Sequence, residues 1–228
     1  KKFYKSYIIS KSKKLPFVTC KLAITRDYFM VNKKKKWITN LQSRGRVHLL
    51  RSIHDCLLTS SSTIIKDNPK LTCRINGLFN LSPARVILDN KFKISIKSNI
   101  VKDASKIRTI IFYNKENIKK IKFLKKKKVK LYKIPLDKDK NLDLTACLFK
   151  IKELGFSRVF LESGFILTKN FFKKNLINEL KVFMSNEIIG ANGKFSTKSF
   201  LKQYLQKKKK IIEKVNLSGE HLTSYYIK

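Results

Sequence analysis

The sequence predicts an α/β fold built on a largely parallel sheet, and three observations predict it. Short apolar runs alternate with amphipathic stretches along most of the 228 residues, the pattern of strands joined by helical crossovers. Several runs, Val86-Ile87-Leu88 among them, are apolar throughout, as strands covered on both faces are. The last two runs follow one another without a helical stretch between them, which predicts antiparallel strands closing the sheet.

In order, residues 1–15 are basic and polar and are expected to form a linker. Residues 17–24 form the first strand. Asn40 can cap a helix running to about Arg51, with Val47, Leu49 and Leu50 apolar. Cys56-Leu57-Leu58 is a short strand. Ser60, Ser61, Ser62 and Thr63 then offer N-caps to a short helix over Ile64 and Ile65, which Asn68-Pro69 ends. Strands are expected over 85–89, 108–113 and 129–132, with Asn114 capping a lysine-rich helix to Phe123. Leu144, Leu148, Ile151 and Leu154 recur at helical spacing, and Gly155 stops that helix. A strand over 158–161, a turn at Ser163 and Gly164, a helix over 165–174 and a strand over 180–184 follow. Residues 211–215 and 222–227 are the antiparallel pair.

Charge limits the partners. Lysine and arginine number 53 against 15 acidic residues, a formal charge of +38, which at first sight marks a nucleic-acid binder. Yet eight of the 53 are arginine, the residue that reads phosphates and base edges bidentately. The lysine runs at 33–36, 125–128 and 207–210 lie between periodic segments, where solvated loops belong, so no specific nucleic acid is expected. Such a charge still attracts anionic ligands. No apolar run reaches the ~18 residues of a membrane helix. The basic start carries too short an apolar stretch for a secretory signal, so no membrane partner and a cytoplasmic setting are expected. Cys20, Cys56, Cys73 and Cys147 form no Cys-x-x-Cys pair and have no histidine at ligand spacing, so buried thiols are expected and no metal site. His48, His54 and His221 read as structural.

Open α/β sheets bind ligands beyond the carboxyl ends of their strands. That singles out Thr25, Arg26 and Asp27, then Ser60 to Thr63, Asp89, and Glu162-Ser163-Gly164. The last group precedes a helix, whose leading N–H groups suit a pyrophosphate; an ordinary capped turn leaves the same pattern. No Gly-x-Gly-x-x-Gly or Walker sequence occurs.

Several motifs stand in a fixed order: Pro16-Phe17-Val18-Thr19-Cys20-Lys21-Leu22-Ala23, Lys36-Trp37-Ile38-Thr39, and Leu58-Thr59-Ser60-Ser61-Ser62-Thr63. Asp67-Asn68-Pro69 follows with Leu71 and Arg74, then Ser82-Pro83-Ala84-Arg85-Val86-Ile87-Leu88-Asp89, Glu162-Ser163-Gly164 with Leu167, Asn178-Glu179-Leu180, and Ile189-Gly190. Together they resemble the pyrimidine reductase domain of the bifunctional riboflavin-biosynthesis protein RibD, a family with a dihydrofolate-reductase-like fold.

The resemblance implies NADPH-dependent reduction of 5-amino-6-(5-phosphoribosylamino)uracil to its ribitylamino product, by a single domain over 16–228 acting as a homodimer. It implies NADPH contacts at Ala23, Trp37, Thr63, Asp67, Asn90, Gly164, Phe165, Ile166, Leu167, Thr168, Lys169 and Asn170. Substrate contacts would fall on Lys35, Arg51, Leu71, Arg74 and Glu162. Arg51 and Arg74 would grip the substrate phosphate as forks, Glu162 would accept from ribose hydroxyls, and solvent, the substrate's own phosphate, Lys21 or Asp27 could supply the proton. Trp37 as core, and Arg51 and Arg74 as surface charge, stay open. In this family zinc belongs to a preceding deaminase domain, whose His-x-Glu and Pro-Cys-x-x-Cys ligands are missing here; residues 1–15 resemble the linker from it. Three departures stand out. Asp27-Tyr28 replaces the family's Asp-Gly, so that loop is expected to be rebuilt. Lys35 replaces a serine, and Ser163-Gly164-Phe165 stands where Gly-Gly or Gly-Pro is frequent. Two other functions remain open: another dihydrofolate-reductase-like reductase acting on a pterin, and a basic RNA-binding module.

Overall fold

The computed structural model describes residues 14–228, with Tyr4, Ile8 and Ser12 ahead of them. Most of the linker expected over 1–15 lies outside the described residues. The chain runs through β1 (Phe17–Ile24), β2 (Phe29–Asn32), α1 (Leu41–Ser52), β3 (Cys56–Ser60), α2 (Ser61–Asp67) and β4 (Ala84–Leu88). It continues through α3 (Asn99–Lys102), β5 (Thr109–Tyr113), α4 (Ile118–Lys126), β6 (Lys130–Lys133), α5 (Leu144–Glu153) and β7 (Arg158–Leu161). The last elements are α6 (Phe165–Lys173), β8 (Glu179–Met184), β9 (Gly193–Ser196), α7 (Lys198–Leu205), β10 (Lys210–Ile212) and β11 (His221–Tyr226). The expected domain over 16–228 divides into two compact units: Leu50–Gly164 with the residues up to Phe17, and Val18–Leu49 with Phe165–Lys228.

The first unit is a parallel sheet in the order β7-β3-β4-β5-β6. β4 is buried at every position, which explains its unalternating apolar run. The exception in that run is Arg85, fully buried at 0% exposure. Its guanidinium donates to Thr109 Oγ1 at 2.6 and 3.1 Å and to the carbonyls of Lys70, Ile100 and Ile107 at 3.0–3.3 Å. Asp103 lies 2.7 Å away as its counter-charge. A buried charge persists only when it is paired and hydrogen-bonded in this way. α4 is capped by Asn117, whose side chain accepts from the Lys120 N–H. The expected cap, Asn114, instead donates its side chain to the Ile134 carbonyl at 2.9 Å. α5 begins on Asp143, which accepts from the N–H groups of Thr145 and Ala146. It ends at Gly155, whose φ of +92° is the left-handed conformation that glycine tolerates.

The second unit orders its strands β10-β11-β8-β1. β1 and β8 are parallel, while β11 runs antiparallel to both β8 and β10. The antiparallel C-terminal pair is thus where the sequence puts it. A further two-stranded sheet, β2 with β9, was not expected. Its strands are four residues each and mostly half-buried or exposed, too short for alternation to show. Gly193 makes the pairing possible, because a Cβ there would sit 2.3 Å from the Phe29 ring. α7, also unexpected, buries Phe200, Leu201 and Leu205, and its Phe200 and Tyr204 stack on Phe172 at 5.0 and 5.2 Å.

Candidate active site

In the first unit, β7 delivers Glu162 beside the end of β3, where its N–H donates to the Leu58 carbonyl at 3.0 Å. Arg51, in the last turn of α1, meets this carboxylate fork to fork. Nε donates to Oε2 at 3.0 Å and Nη2 to Oε1 at 2.8 Å. The remaining arm, Nη1, donates to the Thr72 carbonyl at 2.9 Å. Arg51 is 8% exposed. Desolvation works to lower its pKa, but the charge and hydrogen bonds of Glu162 outweigh that and raise it. The surface-charge reading of Arg51 is therefore revised: the side chain is buried and its fork grips Glu162 and Thr72.

Thr72 belongs to the loop that carries Leu71 and Arg74. Leu71 is buried and holds a φ of +57°, a costly region for a branched residue. Two anchors hold it: Arg51 on Thr72, and Arg85 on the Lys70 carbonyl. Arg74, three residues further, is exposed. Thr63 is half-buried in the first turn of α2 and Asp67 is exposed at its end. Just before them, Thr59 Oγ1 is buried and has no hydrogen-bond partner. Beyond β4, Asn90 donates its side chain to the Lys140 carbonyl at 3.2 Å. Asp89 is buried, and its two carboxylate oxygens accept from the N–H groups of Lys93 and Ile94 at 2.8 and 2.9 Å; it shapes the loop. Gly164 closes the unit. Its φ is ordinary and a Cβ would meet nothing within 4 Å, so packing does not require glycine there. That open space fits a bulky anion approaching the backbone.

In the second unit, Lys21 and Ala23 lie on β1, with Ala23 opposite Phe183 of β8 and the Lys21 ammonium 5.9 Å from the Phe183 ring. Asp27 closes the turn after β1. Oδ1 accepts from Thr25 Oγ1 at 2.5 Å, and Oδ2 accepts from the N–H groups of Ile189 and Gly190 at 3.0 and 2.8 Å. Desolvation pulls its pKa up, yet these bonds, with its own backbone N–H, hold the carboxyl below the usual aspartate value of 3.8. These bonds favour the charged form of Asp27. Tyr28 sits at φ +71°. The loop is not rebuilt to avoid the glycine conformation; tyrosine adopts it. Its carbonyl is fixed by the N–H and hydroxyl of Thr197 at 2.8 and 2.9 Å.

Lys35 is exposed and paired with Glu187 at 3.3 Å. Trp37 is 56% exposed, which excludes the core reading, and its ring is approached by Lys36 and Arg44 at 5.4 and 5.0 Å. Along α6, Phe165 stacks against Phe195 and Phe200. Ile166 and Lys169 are exposed, and Leu167 and Asn170 are half-buried. Thr168 is fully buried and hydrogen-bonds the Cys20 thiol. Seven successive contacts to one ligand from 164 to 170 are therefore not available to side chains, since a helix turns Thr168 inward. The thiols of Cys20, Cys56 and Cys147 are all pushed up by burial, Cys20 to about 12. Among the described residues no three His, Cys, Asp or Glu side chains gather as a metal ligand set. No helix there is long and apolar enough to cross a membrane.

The sequence pattern of the RibD C-terminal domain matches residues 16–217. The chain belongs to the RibD C-terminal domain family. The riboflavin biosynthesis protein RibD of Aquifex aeolicus is 30% identical over 216 residues, covering 92% of this chain and 57% of that protein. A protein of Buchnera aphidicola from Acyrthosiphon pisum, named 5-amino-6-(5-phosphoribosylamino)uracil reductase, is 30% identical over 72% of this chain and 82% of its own. The crystal structure of the Thermotoga maritima deaminase/reductase superposes with a TM-score of 0.76 at 26% identity, over 98% of this chain and 60% of that one. The chain spans about half the length of most of the RibD proteins it matches.

Sequence reasoning about this RibD-type domain missed the Arg51–Glu162 clamp and the Arg85 hub. A signal existed for Arg85: a lone arginine inside an otherwise apolar strand of a lysine-biased chain. Nothing local could show that Arg51 and Glu162, 111 residues apart, would meet.

Proposed function

We propose that this chain reduces the phosphoribosylamino group of 5-amino-6-(5-phosphoribosylamino)uracil to a phosphoribitylamino group, with NADPH as reductant, in riboflavin biosynthesis. The reading carries a cytoplasmic homodimer with it, and neither a specific nucleic acid nor a membrane as partner. The observation that supports it most is that two of the family's motif residues, Arg51 and Glu162, meet in one clamp with Thr72, whose loop also carries Arg74.

The bound cofactor would supply a hydride to the anomeric carbon of the open-chain imine, and the imine nitrogen gains a proton. The chain's own residues do the rest. Glu162, held rigid by Arg51, keeps a carboxylate geometry able to accept from ribose hydroxyls. Arg74, exposed on the Thr72 loop, would meet the phosphate. In the first unit, Thr63, Asp67, Asn90 and Gly164 would hold the dinucleotide. The proton would come from solvent, from the substrate's own phosphate, from Lys21 or from Asp27.

Arg74→Lys tests the substrate assignment. A point charge cannot reproduce a fork on phosphate, and the loss of about 1.5–3 kcal/mol should appear as a raised KM with NADPH affinity unchanged. The variant should also lose most of the preference for phosphorylated over dephosphorylated substrate. Retention of full preference would place the phosphate elsewhere.

A further inference from the structure

The loop after α2 holds two left-handed residues in four, Asn68 at φ +41° and Leu71 at +57°. Asparagine tolerates that conformation, but leucine does not adopt it readily. The local sequence therefore does not favour this loop, and its shape is imposed from outside. Asn99, at the start of α3, grips Asn68 twice. Its N–H donates to Asn68 Oδ1 at 2.9 Å, and its Nδ2 donates to the Asn68 carbonyl at 2.7 Å. Arg85 Nη1 donates to the Lys70 carbonyl at 3.0 Å, which fixes the peptide plane immediately before Leu71. Arg51 holds the Thr72 carbonyl on the other side of it at 2.9 Å.

Arg85 reaches furthest of these anchors. It rises from β4, between β3 and β5, and is fully buried. Its Nε and Nη2 are spent on Thr109 Oγ1 and on the Ile100 and Ile107 carbonyls, with Asp103 balancing the charge at 2.7 Å. One guanidinium thus ties the loop to α3 and to the start of β5. Stability alone does not call for it, since a buried ion pair is often no more stabilising than apolar side chains of similar volume, and Val86 and Ile87 follow it in the same strand. What an apolar residue could not supply is the donor to the Lys70 carbonyl.

We infer that Arg85 is a positioning residue for substrate: through the Lys70 carbonyl it holds Leu71 left-handed and so sets where Leu71 and Arg74 stand, without itself reaching the ligand. The inference rests on the reductase reading, in which Leu71 and Arg74 contact the phosphoribosylaminouracil, and adds the buried group on which their placement depends.

The test is Arg85→Lys, which keeps a positive charge on β4 but places its donors on one nitrogen, unable to span Thr109 and Lys70 together. Steady-state kinetics should show KM for the aminouracil raised about tenfold, with kcat within about twofold. The NADPH Kd, by isothermal titration calorimetry, should stay within about twofold of that of the unaltered chain. Because the effect runs through the loop, the same change made in Arg74→Lys should raise KM only about threefold further. If circular dichroism shows that Arg85→Lys does not fold, Asp103→Asn carries the test. It keeps Arg85, removes its counter-charge from a partly exposed position, and should raise KM about threefold. Unchanged KM in a folded variant, or equal loss of substrate and NADPH affinity, overturns the positioning role. If the unaltered chain does not reduce the aminouracil, the reductase reading fails and the substrate role with it. Hydrogen exchange of the amides at 71–74 separates the two failures: Arg85→Lys should quicken it whatever the substrate, and unchanged exchange refutes the anchor itself.

Discussion

The clamp between Arg51 and Glu162 makes the sharpest demand on the structure. The two side chains are 10% and 21% exposed and meet through two hydrogen bonds of 2.8 and 3.0 Å. With charge centres about 4 Å apart, an effective dielectric near 20 gives about 4 kcal/mol of attraction, part of which offsets desolvation. Glu162→Gln leaves the Arg51 charge buried and half-partnered and should destabilise by about 3–5 kcal/mol. Arg51→Met should cost less, because Glu162 is the more exposed partner and can reach water. In a double-mutant cycle the two changes should couple by about 2–3 kcal/mol. The assay is urea unfolding followed by circular dichroism at neutral pH for the four proteins. Costs that add to within about 0.5 kcal/mol would mean that the pair does not hold the site together.

The remaining predictions concern three residues. Gly164→Val should leave the fold intact, since a Cβ meets nothing within 4 Å, yet weaken NADPH binding by more than about tenfold; unchanged affinity in a fluorescence titration would remove that turn from the site. Tyr28→Gly should raise stability by about 1 kcal/mol by relieving the φ of +71°, read as a higher urea midpoint; a lower midpoint would show that the tyrosine side chain outweighs its strain. Asp27, whose folded pKa lies below 3.8, contributes stability that is complete above the unfolded value and lost as pH falls through the folded one. Asp27→Asn should therefore be the less stable protein at pH 7, the gap should close in acid, and no activity step near neutral pH should disappear with it; a step near neutrality that does disappear would mark Asp27 as a proton donor.

Much of the fold was legible because its elements are short and their faces plain. The buried run at β4, the Gly155 stop and the antiparallel tail each left a local signal. The β2–β9 sheet left none, since its pairing depends on Phe29 lying over Gly193, 164 positions away. Family motifs located Arg51 and Glu162, but not that each is the other's partner. Tyr28 illustrates a different limit. A glycine position replaced by tyrosine suggested a different loop, whereas Thr25, Asp27 and Thr197 hold a turn in which tyrosine itself takes the positive φ.

The most direct test follows the hydride. The purified chain is given 5-amino-6-(5-phosphoribosylamino)uracil and NADPH deuterated at the transferable C4 position. Oxidation of the cofactor is followed by its absorbance, and the product by mass spectrometry and NMR. The account predicts one NADPH oxidised per ribitylamino product, with deuterium on C1′ of the ribityl chain. No oxidation, deuterium at any other carbon, or turnover of a pterin in preference to the aminouracil would contradict it.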